Sequence, residues 1–596
     1  MPSNTIKKKK YISKILTQSF LAAFSTAAFT ELTQVSSLLI DGILTSKLLG
    51  ADEIAAVGLT NPLFFIVGLI ATSFAAGLKV VCAREMGRGR IERVNEFLNE
   101  TLIVAGAISA ILCVLILALA SPAAFVFGAR GAAAGLHVHT VNYIRGLSFE
   151  SVPFILMMVL IPVVSLDNGG RTVMISAIVG AVTNVLFDWV AIRTGTGIFG
   201  VGVATSLSVL LSFLCVVTHF FRKNRLLQIR AAAVRWADIR EILHLGGATA
   251  AHGGMGVIRP LLLNSLIVAV GGSMAMSVMS IRSGVSNFVD VPAVGIAGAV
   301  ALLTGVGCGE LNGEDIEGVD ILSRRLLTLT SLVLAAVLVV LAPAIAVFYL
   351  GPDSPGLPLL TFAIRTLAVD AFFSGMVRIR VSYLEAVESI REAQLIEMAS
   401  NLVVLLLCAF VLSRPFGIYG IYAAFPVSKI LVLAGVLVEC ARKAGRLIPS
   451  QREFLKLDER FYPDVSDIIE YPVRDRMECV LAGRQLRYFC IGHQMDKKRS
   501  YYAALCAEEI STNIIEHGFE RKNRLSAAEI RVTVSGDDLI LRVRDNGVEF
   551  NLNSIARIVM DDQDPYANMG IKMIVSSAKK IDYYRSWGMN VTILRI

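Results

Sequence analysis

Apolar runs of about 20 residues recur along the chain up to about residue 440, separated by short polar segments. A run of this length is what a helix needs to cross a bilayer. The pattern predicts about 12 spans, which lie near 16–42, 54–80, 97–121, 137–165, 172–193, 199–221, 245–270, 281–306, 324–349, 358–386, 394–414 and 417–441. It therefore predicts a polytopic α-helical membrane part.

The pattern changes beyond residue 446, where charges return and the apolar runs shorten. Period-two segments, typical of strands, alternate there with helical ones, and the SGDD turn joins two strands into an antiparallel hairpin. This predicts an α+β domain with helices on one face of an antiparallel sheet. The predicted organisation is a basic N-terminus 1–15, a first lobe 16–221, a linker 222–244, a second lobe 245–441, a linker 442–465 and the domain 466–596.

Composition and charge agree with a membrane protein. The 596 residues are 55% hydrophobic and 17% charged, against roughly 25% charged in soluble domains. Arg and Lys cluster at alternate ends of the spans, so the net charge of +8 is a topology signal and not a nucleic-acid footprint. The positive-inside rule then predicts a cell-membrane protein, of the bacterial inner-membrane type, with both termini in the cytoplasm.

An internal repeat divides the membrane part. The segment GIFGVGVATSLSVLL (197–211) is similar to GIYGIYAAFPVSKIL (417–431), and LLIDGILTSKLLG (38–50) is similar to LLLNSLIVAVGG (261–272). The offset is about 220 residues in both cases, which predicts two parallel six-helix repeats. Duplicated lobes of this kind usually carry substrate by moving against each other.

Two long stretches carry a family resemblance. IDGILTSKLLGADEIAAVGLTNPLFFIVGLIATSFAAG with REMGRGRIERVNE, and LDNGGRTVMISAIVGAVTNVLFDWVAIRTGTGIFGVGVATS, resemble the multidrug and toxic compound extrusion (MATE) transporters. The resemblance covers roughly residues 15 to 440. It implies ion-coupled export of small organic compounds, cationic or amphipathic in character.

Ionisable residues inside membrane spans are costly and therefore mark functional candidates. Asp41 lies in the first span and Asp188 in the fifth, with Asn184 one helical turn before Asp188. Carboxylate and amide oxygens suit Na⁺, while crowded carboxylates equally suit a proton carrier. The MATE resemblance implies a coupling-ion site on these residues, with Thr205 as a further hydroxyl.

The second lobe lacks this acidic set, because the equivalent positions are approximately Asn264, Val404 and Cys408. It has its own intramembrane charges, Arg259, Arg282, Asp290 and Asp370. We expect these four to pair with one another, and substrate contact is the alternative reading.

A polar helix face follows in the final domain, where Glu509, Asn513 and His517 stand at i,i+4 spacing. Together with RDNGVEF (544–550) and NMGIKMI (568–574) they resemble the GHKL ATP-binding fold, closest to the anti-sigma-factor serine kinases. The resemblance implies Mg²⁺-ATP held by Asn513, with Glu509 as base, Asp545 and Gly547 at the adenine, and Gly570 at the phosphates. Asn568 stands where that family usually has a second glycine.

Three functions remain open from the sequence. The first is a Na⁺- or H⁺-coupled efflux antiporter with a regulatory ATP-binding domain. The second is a membrane sensor whose tail is a serine kinase acting on an anti-sigma-antagonist (STAS-like) protein partner, which leaves open whether the chain is an enzyme. The third and weaker one is a flippase for lipid-linked precursors.

Overall fold

The structure is a computed structural model. It describes residues 13–48, 56–57, 59–127, 129, 136–222, 225–457, 461, 467–519, 526–535, 538–552 and 569–596. Long helices fill the first three quarters of the chain, and a small α+β unit, here called the tail (467–596), fills the rest.

The first group of helices, here called the N-lobe, is α1 (Lys14–Leu48), α2 (Asn61–Gly87), α3 (Ile91–Ala118), α4 (Ala120–Val126), α5 (His137–Leu147), α6 (Ser151–Leu166), α7 (Gly170–Arg193) and α8 (Gly197–Val217). A short helix, α9 (Trp236–Leu245), connects this group to the next. The second group, here called the C-lobe, is α10 (Gly247–Gly309), α11 (Gly313–Leu350), α12 (Leu357–Ala386), α13 (Ile390–Met398) and α14 (Val404–Ala444), with a π-helical turn at Ala399–Val403 between the last two.

Two glycines bend the longest helices. Gly272 in α10 and Gly417 in α14 take φ of 65° and 57°, values that favour glycine because it lacks a Cβ. Each bend separates two of the predicted spans. The described residues contain ten helices long and apolar enough to cross a membrane, fewer than the predicted 12, and one of the ten, Ile390–Ala444, contains the bend at Gly417.

The two lobes meet at helices α2 and α10, whose backbones approach closely through small residues. A Cβ added at Gly309 would lie 2.0 Å from the carbonyl oxygen of Arg84, and one added at Gly87 would lie 2.2 Å from that of Val306. Arg84 donates to Glu241 on α9 over 2.8 Å and also hydrogen-bonds to Glu388 after α12. The lobes are therefore tightly packed at this end, here called the tail side.

The tail contains α16 (Arg476–Gly492), α17 (Lys497–His517) and α18 (Met569–Ser577) beside the strands β1 (Ile468–Val473), β2 (Ala528–Ser535), β3 (Asp538–Asp545), β4 (Lys580–Ser586) and β5 (Met589–Arg595). The five strands form one antiparallel sheet in the order β1-β2-β3-β5-β4. Each of the two longer helices has an aspartate at its N-cap. The Asp475 side chain accepts from the Glu478 N–H at the start of α16, and the Asp496 side chain accepts from the N–H groups of Lys498 and Arg499 at the start of α17. The predicted strands and helices are all present in this region.

The sheet is buried on both faces. Alternate side chains such as Leu541, Val543 and Leu594 pack with the tail helices. Their neighbours Tyr584 and Ile593 instead join the hydrophobic core of the membrane helices. The sequence predicts the helical layer, while the second layer is the tail side of the lobes themselves.

The linker helix α15 (Gln451–Leu455) fastens the tail to the C-lobe. Ser450 and Glu453 form a capping box at its start. Arg452 pairs with Glu317 over 3.1 Å, and the Tyr383 hydroxyl donates to the Leu455 carbonyl over 2.7 Å.

Candidate functional sites

Helix α7 carries the acidic end of the N-lobe candidate site. Asp188 is buried, with 1% of its surface exposed, and Asn184 lies one turn before it at 9%. The Ser37 hydroxyl on α1 donates to Asn184 Oδ1 over 3.4 Å. The fifth-span pair is thus brought against the first-span helix. Asp41 is on α1, but its side chain lies outside the described residues.

Thr205 lies on α8 and lines the same cavity as Asn184 and Ser37. Its hydroxyl donates to the Val201 carbonyl over 3.1 Å, the back-bond common for threonine in helices. A hydroxyl that donates one hydrogen bond still has lone pairs, so this contact leaves Thr205 Oγ1 able to act as a ligand.

The N-lobe cavity has a volume of about 400 Å³ and an apolar wall that includes Phe64, Phe154 and Met157. Glu150, at the junction of α5 and α6, also lines it. The sequence reasoning missed Glu150 although it stands inside a predicted span, where any carboxylate is a candidate.

The C-lobe encloses a second cavity, of about 520 Å³, whose lining is mostly polar. Of the four charges expected to pair, Arg282 and Asp370 do so, over 3.2 Å, with the guanidinium 3.9 Å above the Phe425 ring. Arg259 and Asp290 line the same cavity but form no ion pair with any described residue. The expected mutual pairing is therefore found for two of the four.

In the tail, α17 presents Glu509 and Asn513 on one face, half-buried and joined by a hydrogen bond of 3.4 Å from Asn513 Nδ2 to Glu509 Oε1. Gly570 at the start of α18 faces the same carboxylate, because a Cβ added there would lie 2.0 Å from Glu509 Oε1. The polar face of α17 and the start of α18, about 60 residues apart in the chain, thus meet.

The DNG segment joins them from the end of β3. Asp545 Oδ1 accepts from the Gly547 N–H and from Asn590 Nδ2, each over 2.8 Å. A Cβ added at Gly547 would lie 2.2 Å from the carbonyl oxygen of Gly518, which directly follows α17. Burial raises the pKa of the Asp545 carboxyl to about 6, against the hydrogen bonds that favour its charged form.

These donors fit Mg²⁺-ATP chemically. Since Asn513 directs its NH₂ to Glu509, its amide oxygen is the atom left for a hard cation. His517 is exposed at the end of α17. Asn568 lies outside the described residues. The effect of having Asn568 in place of a second glycine, beside the proposed phosphate contact at Gly570, therefore stays a prediction.

A charged contact connects the tail to the C-lobe. Glu310, between α10 and α11, has its side chain 1% exposed and contacts two arginines of β3. Arg542 Nη1 lies 3.5 Å from Glu310 Oε2, and Arg544 pairs with the same oxygen. Arg544 also donates to Asp315 over 2.7 Å.

The same sheet face also contacts the N-lobe. Arg542 donates to the Gly87 carbonyl over 2.9 Å, and the Gly588 N–H donates to Asn168 over 3.0 Å. Asn546, inside the DNG segment, donates to Gln18 of α1 over 2.7 Å. The tail thus bridges both lobes at their tail side, which the sequence did not predict.

Comparisons with known proteins agree with the membrane architecture. Residues 26–190 match the family model MatE. No curated protein matches the chain. The tail lies outside the stretch that the family model matches.

Solved structures with a similar fold include a MATE in complex with MaL6 (21% identical, TM-score 0.67, covering 72% of this chain and 97% of that one). An outward-facing multidrug resistance MATE transporter of the MOP superfamily matches at 21% identity and TM-score 0.67, covering 72% and 96%. A MOP superfamily transporter from Pyrococcus furiosus, described as having a binding pocket of reverse polarity, matches at 21% and 0.66, covering 72% and 96%. The chain is accordingly a multi-pass membrane protein, and its membrane part has the MATE fold.

Proposed function

We propose that this protein exports small organic compounds in exchange for Na⁺ or H⁺, and that its tail binds Mg²⁺-ATP and regulates the exchange. The observation that carries the export proposal is the buried Asp188 carboxylate one helical turn from Asn184, whose amide contacts α1 and lines the apolar N-lobe cavity. Exchange requires that the cation and the organic substrate do not bind the N-lobe at the same time. A cation that binds at this site would then favour release of the substrate from the same lobe.

The coupling ion is bound by Asp188, Asn184 and Thr205 together with Asp41 of α1. Oxygen ligands of this kind accept Na⁺ directly, and protonation of one carboxylate achieves the same neutralisation with H⁺. With the tail side in the cytoplasm, as the basic residues predict, the tight packing of α2 on α10 closes the cytoplasmic entrance. The described arrangement is then the one that releases substrate outward.

Export is tested in vesicles containing the purified chain and a fluorescent organic cation. A Na⁺ gradient at equal pH and a pH gradient without Na⁺ are applied separately, which identifies the ion. We expect Asp188→Asn and Asp41→Asn to lower gradient-driven export by at least about tenfold. An amide carries no negative charge, so it can neither neutralise a bound Na⁺ nor take up a proton.

Asn264→Ala, at the equivalent position of the C-lobe, is the matched control and retains export. Unchanged gradient-driven export in both aspartate variants would falsify ion coupling through this site.

Regulation by nucleotide is supported by the position of the tail. Its sheet contacts Glu310 of the C-lobe and Gly87 of the N-lobe through the same residue, Arg542. Asn546 connects the DNG segment to α1. A movement of β3 caused by nucleotide binding near Asp545 would therefore be transmitted to both lobes through the contacts of this one strand.

ATP binding is tested on the full chain in detergent, because one face of the tail sheet is covered by the lobes and an isolated tail would expose it. Asn513→Ala removes the proposed Mg²⁺ oxygen, and Gly570→Ala places a methyl group against Glu509. We expect each to weaken Mg²⁺-dependent ATP binding by at least about tenfold.

Gly492→Ala, where nothing lies within 4 Å of the added Cβ, is the control. Equal ATP affinity in all four proteins would remove nucleotide from the proposal. The kinase alternative keeps one favourable observation, the Glu509 carboxylate held beside Asn513, and predicts phosphate transfer to a co-purified protein that Glu509→Gln abolishes.

A further inference from the structure

The C-lobe cavity differs from the N-lobe cavity in the charge of its walls. Four cations and five carboxylates line its roughly 520 Å³, whereas Glu150 is the charged residue among the lining of the N-lobe cavity. Serines and asparagines fill much of the remaining C-lobe wall, for example Ser286, Asn287 and Ser374. A wall of this kind is costly to leave without charged or polar occupants.

Part of this charge is neutralised inside the wall. Arg282 pairs with Asp370 over 3.2 Å. Lys429 Nζ donates to the Ser400 carbonyl over 2.7 Å and hydrogen-bonds to Asn401, whose own amide donates to Glu397 over 2.7 Å.

The Ser400 carbonyl that accepts from Lys429 lies in the π-helical turn at Ala399–Val403. Such turns occur frequently at functional sites. The internal pairs are thus built into the helix geometry.

Five charges of the wall remain outside these pairs. One of them, Glu385, interacts electrostatically with Lys79 of α2, and the other four are Arg259, Arg378, Glu31 and Asp290. Arg259 on α10 and Arg378 on α12 form no hydrogen bond or ion pair with any described residue, and the same holds for Glu31 on α1 and Asp290 on α10. All four face the cavity. The surplus is therefore two guanidinium groups and two carboxylates.

We infer that the C-lobe cavity binds an organic zwitterion, whose anionic group is held by Arg259 and whose cationic group is held by Asp290 and Glu31. The inference rests on the proposed export function and specifies its substrate class. A simple organic cation leaves the guanidinium groups without an anion, while a zwitterion satisfies both signs at once. Glu31 belongs to the N-lobe, so a bound zwitterion also connects the two lobes.

Three forms of one fluorescent coumarin ω-amino acid, here called the dye, test the inference on the full chain in detergent: the zwitterion with free amine and free carboxylate, its methyl ester, which is a cation, and its N-acylated derivative, which lacks the cationic group. We expect the zwitterion to bind at least about tenfold more tightly than either relative, because each loses one charge-assisted contact.

Variants assign the two ends. We expect Arg259→Gln to reduce the preference over the methyl ester to within about twofold, and Asp290→Asn to do the same for the acylated dye. Arg259→Lys keeps most of the preference. Arg365→Gln, an exposed arginine on α12, is the control for loss of a positive charge.

Equal affinity of the unaltered protein for zwitterion and ester overturns the inference without any variant. Gradient-driven export of the ester by that same protein would then leave the proposed export function standing. Selective zwitterion binding without export of any dye would instead support the cavity and count against the transporter function.

Discussion

At the scale of single residues, Asp545 shows how burial tunes a proposed nucleotide contact. Two hydrogen bonds of 2.8 Å hold its carboxyl in one orientation. Burial nevertheless raises its pKa to about 6, above the usual value of roughly 4 for aspartate. The group is therefore charged at neutral pH but close to titration.

The titration predicts a pH dependence of ATP binding. The adenine amino group favours the ionised carboxylate, so affinity should be constant above pH 7 and fall as the pH drops through about 6. Stability has the opposite sign, since the folded tail binds this proton more tightly than the unfolded chain and loses stability as the pH rises from about 4 to about 6. The measurement is the ATP affinity of the full chain as a function of pH, over a range of about pH 5 to about pH 8 that includes the titration of Asp545.

Asp545→Asn is the control for this profile, because any titration of the nucleotide itself remains in the variant. We expect weaker binding and a flatter pH dependence in that protein. An identical profile in both proteins would show that another group is responsible.

At the scale of helices, small residues decide where the lobes can meet. Gly309 of α10 and Gly87 of α2 lie so close that a methyl group at either position would overlap backbone atoms. Glycine is needed here for approach, because neither residue has a positive φ. The α2–α10 crossing therefore sets how completely the tail side closes.

Gly309→Ala should open this crossing. The added carbon would lie 2.0 Å from the Arg84 carbonyl, and overpacking of this kind costs roughly 1–3 kcal/mol. We expect the thiol of Cys82, buried at 0% exposure on α2, to react at least about tenfold faster with a thiol reagent. Mass spectrometry of the Cys82 peptide measures the rate.

Gly284→Ala lies on the same helix with nothing within 4 Å of the new carbon, and its Cys82 rate should match the unaltered protein. A rise in both variants would point to general loosening of α10.

At the scale of the whole molecule, the tail packs as a further layer on the membrane helices and is not an appended unit. Strand β3 directs Leu541 and Val543 to the tail helices, and Arg542 and Arg544 to the lobes. The buried arginines converge on Glu310, and Arg544 also pairs with Asp315, so the contact depends on two carboxylates of the C-lobe. Burial lowers the pKa of both arginines, which reflects the cost of charge at this contact.

Glu310→Gln should loosen the tail. It leaves two buried guanidinium groups short of an anion, at a cost on the order of 2 kcal/mol, although Arg544 keeps Asp315. We expect faster hydrogen exchange in β3 and β5 and a smaller effect of ATP on export. Glu314→Gln, an exposed neighbour, is the matched control and should change neither.

The sequence by itself determined the elements of this protein. Bilayer-length apolar runs specify long helices wherever the chain enters lipid, and the period-two pattern specifies each strand of the tail, because both signals are local. The described residues contain ten candidate spans where 12 were predicted, and one of the ten, Ile390–Ala444, covers two predicted spans. The bend at Gly417 between those two follows from glycine's access to positive φ, which sequence periodicity does not show.

Residue spacing within one helix also predicted Asn184 beside Asp188 and Glu509 beside Asn513. Tertiary structure alone decided which distant residues meet. It placed Gly570 against Glu509 and paired Arg282 with Asp370, whereas Arg259 forms no ion pair with any residue that the structure describes. It also covered the outer face of the tail sheet with the lobes. These contacts depend on packing between segments that lie tens to hundreds of residues apart in the chain, and no local sequence pattern encodes them.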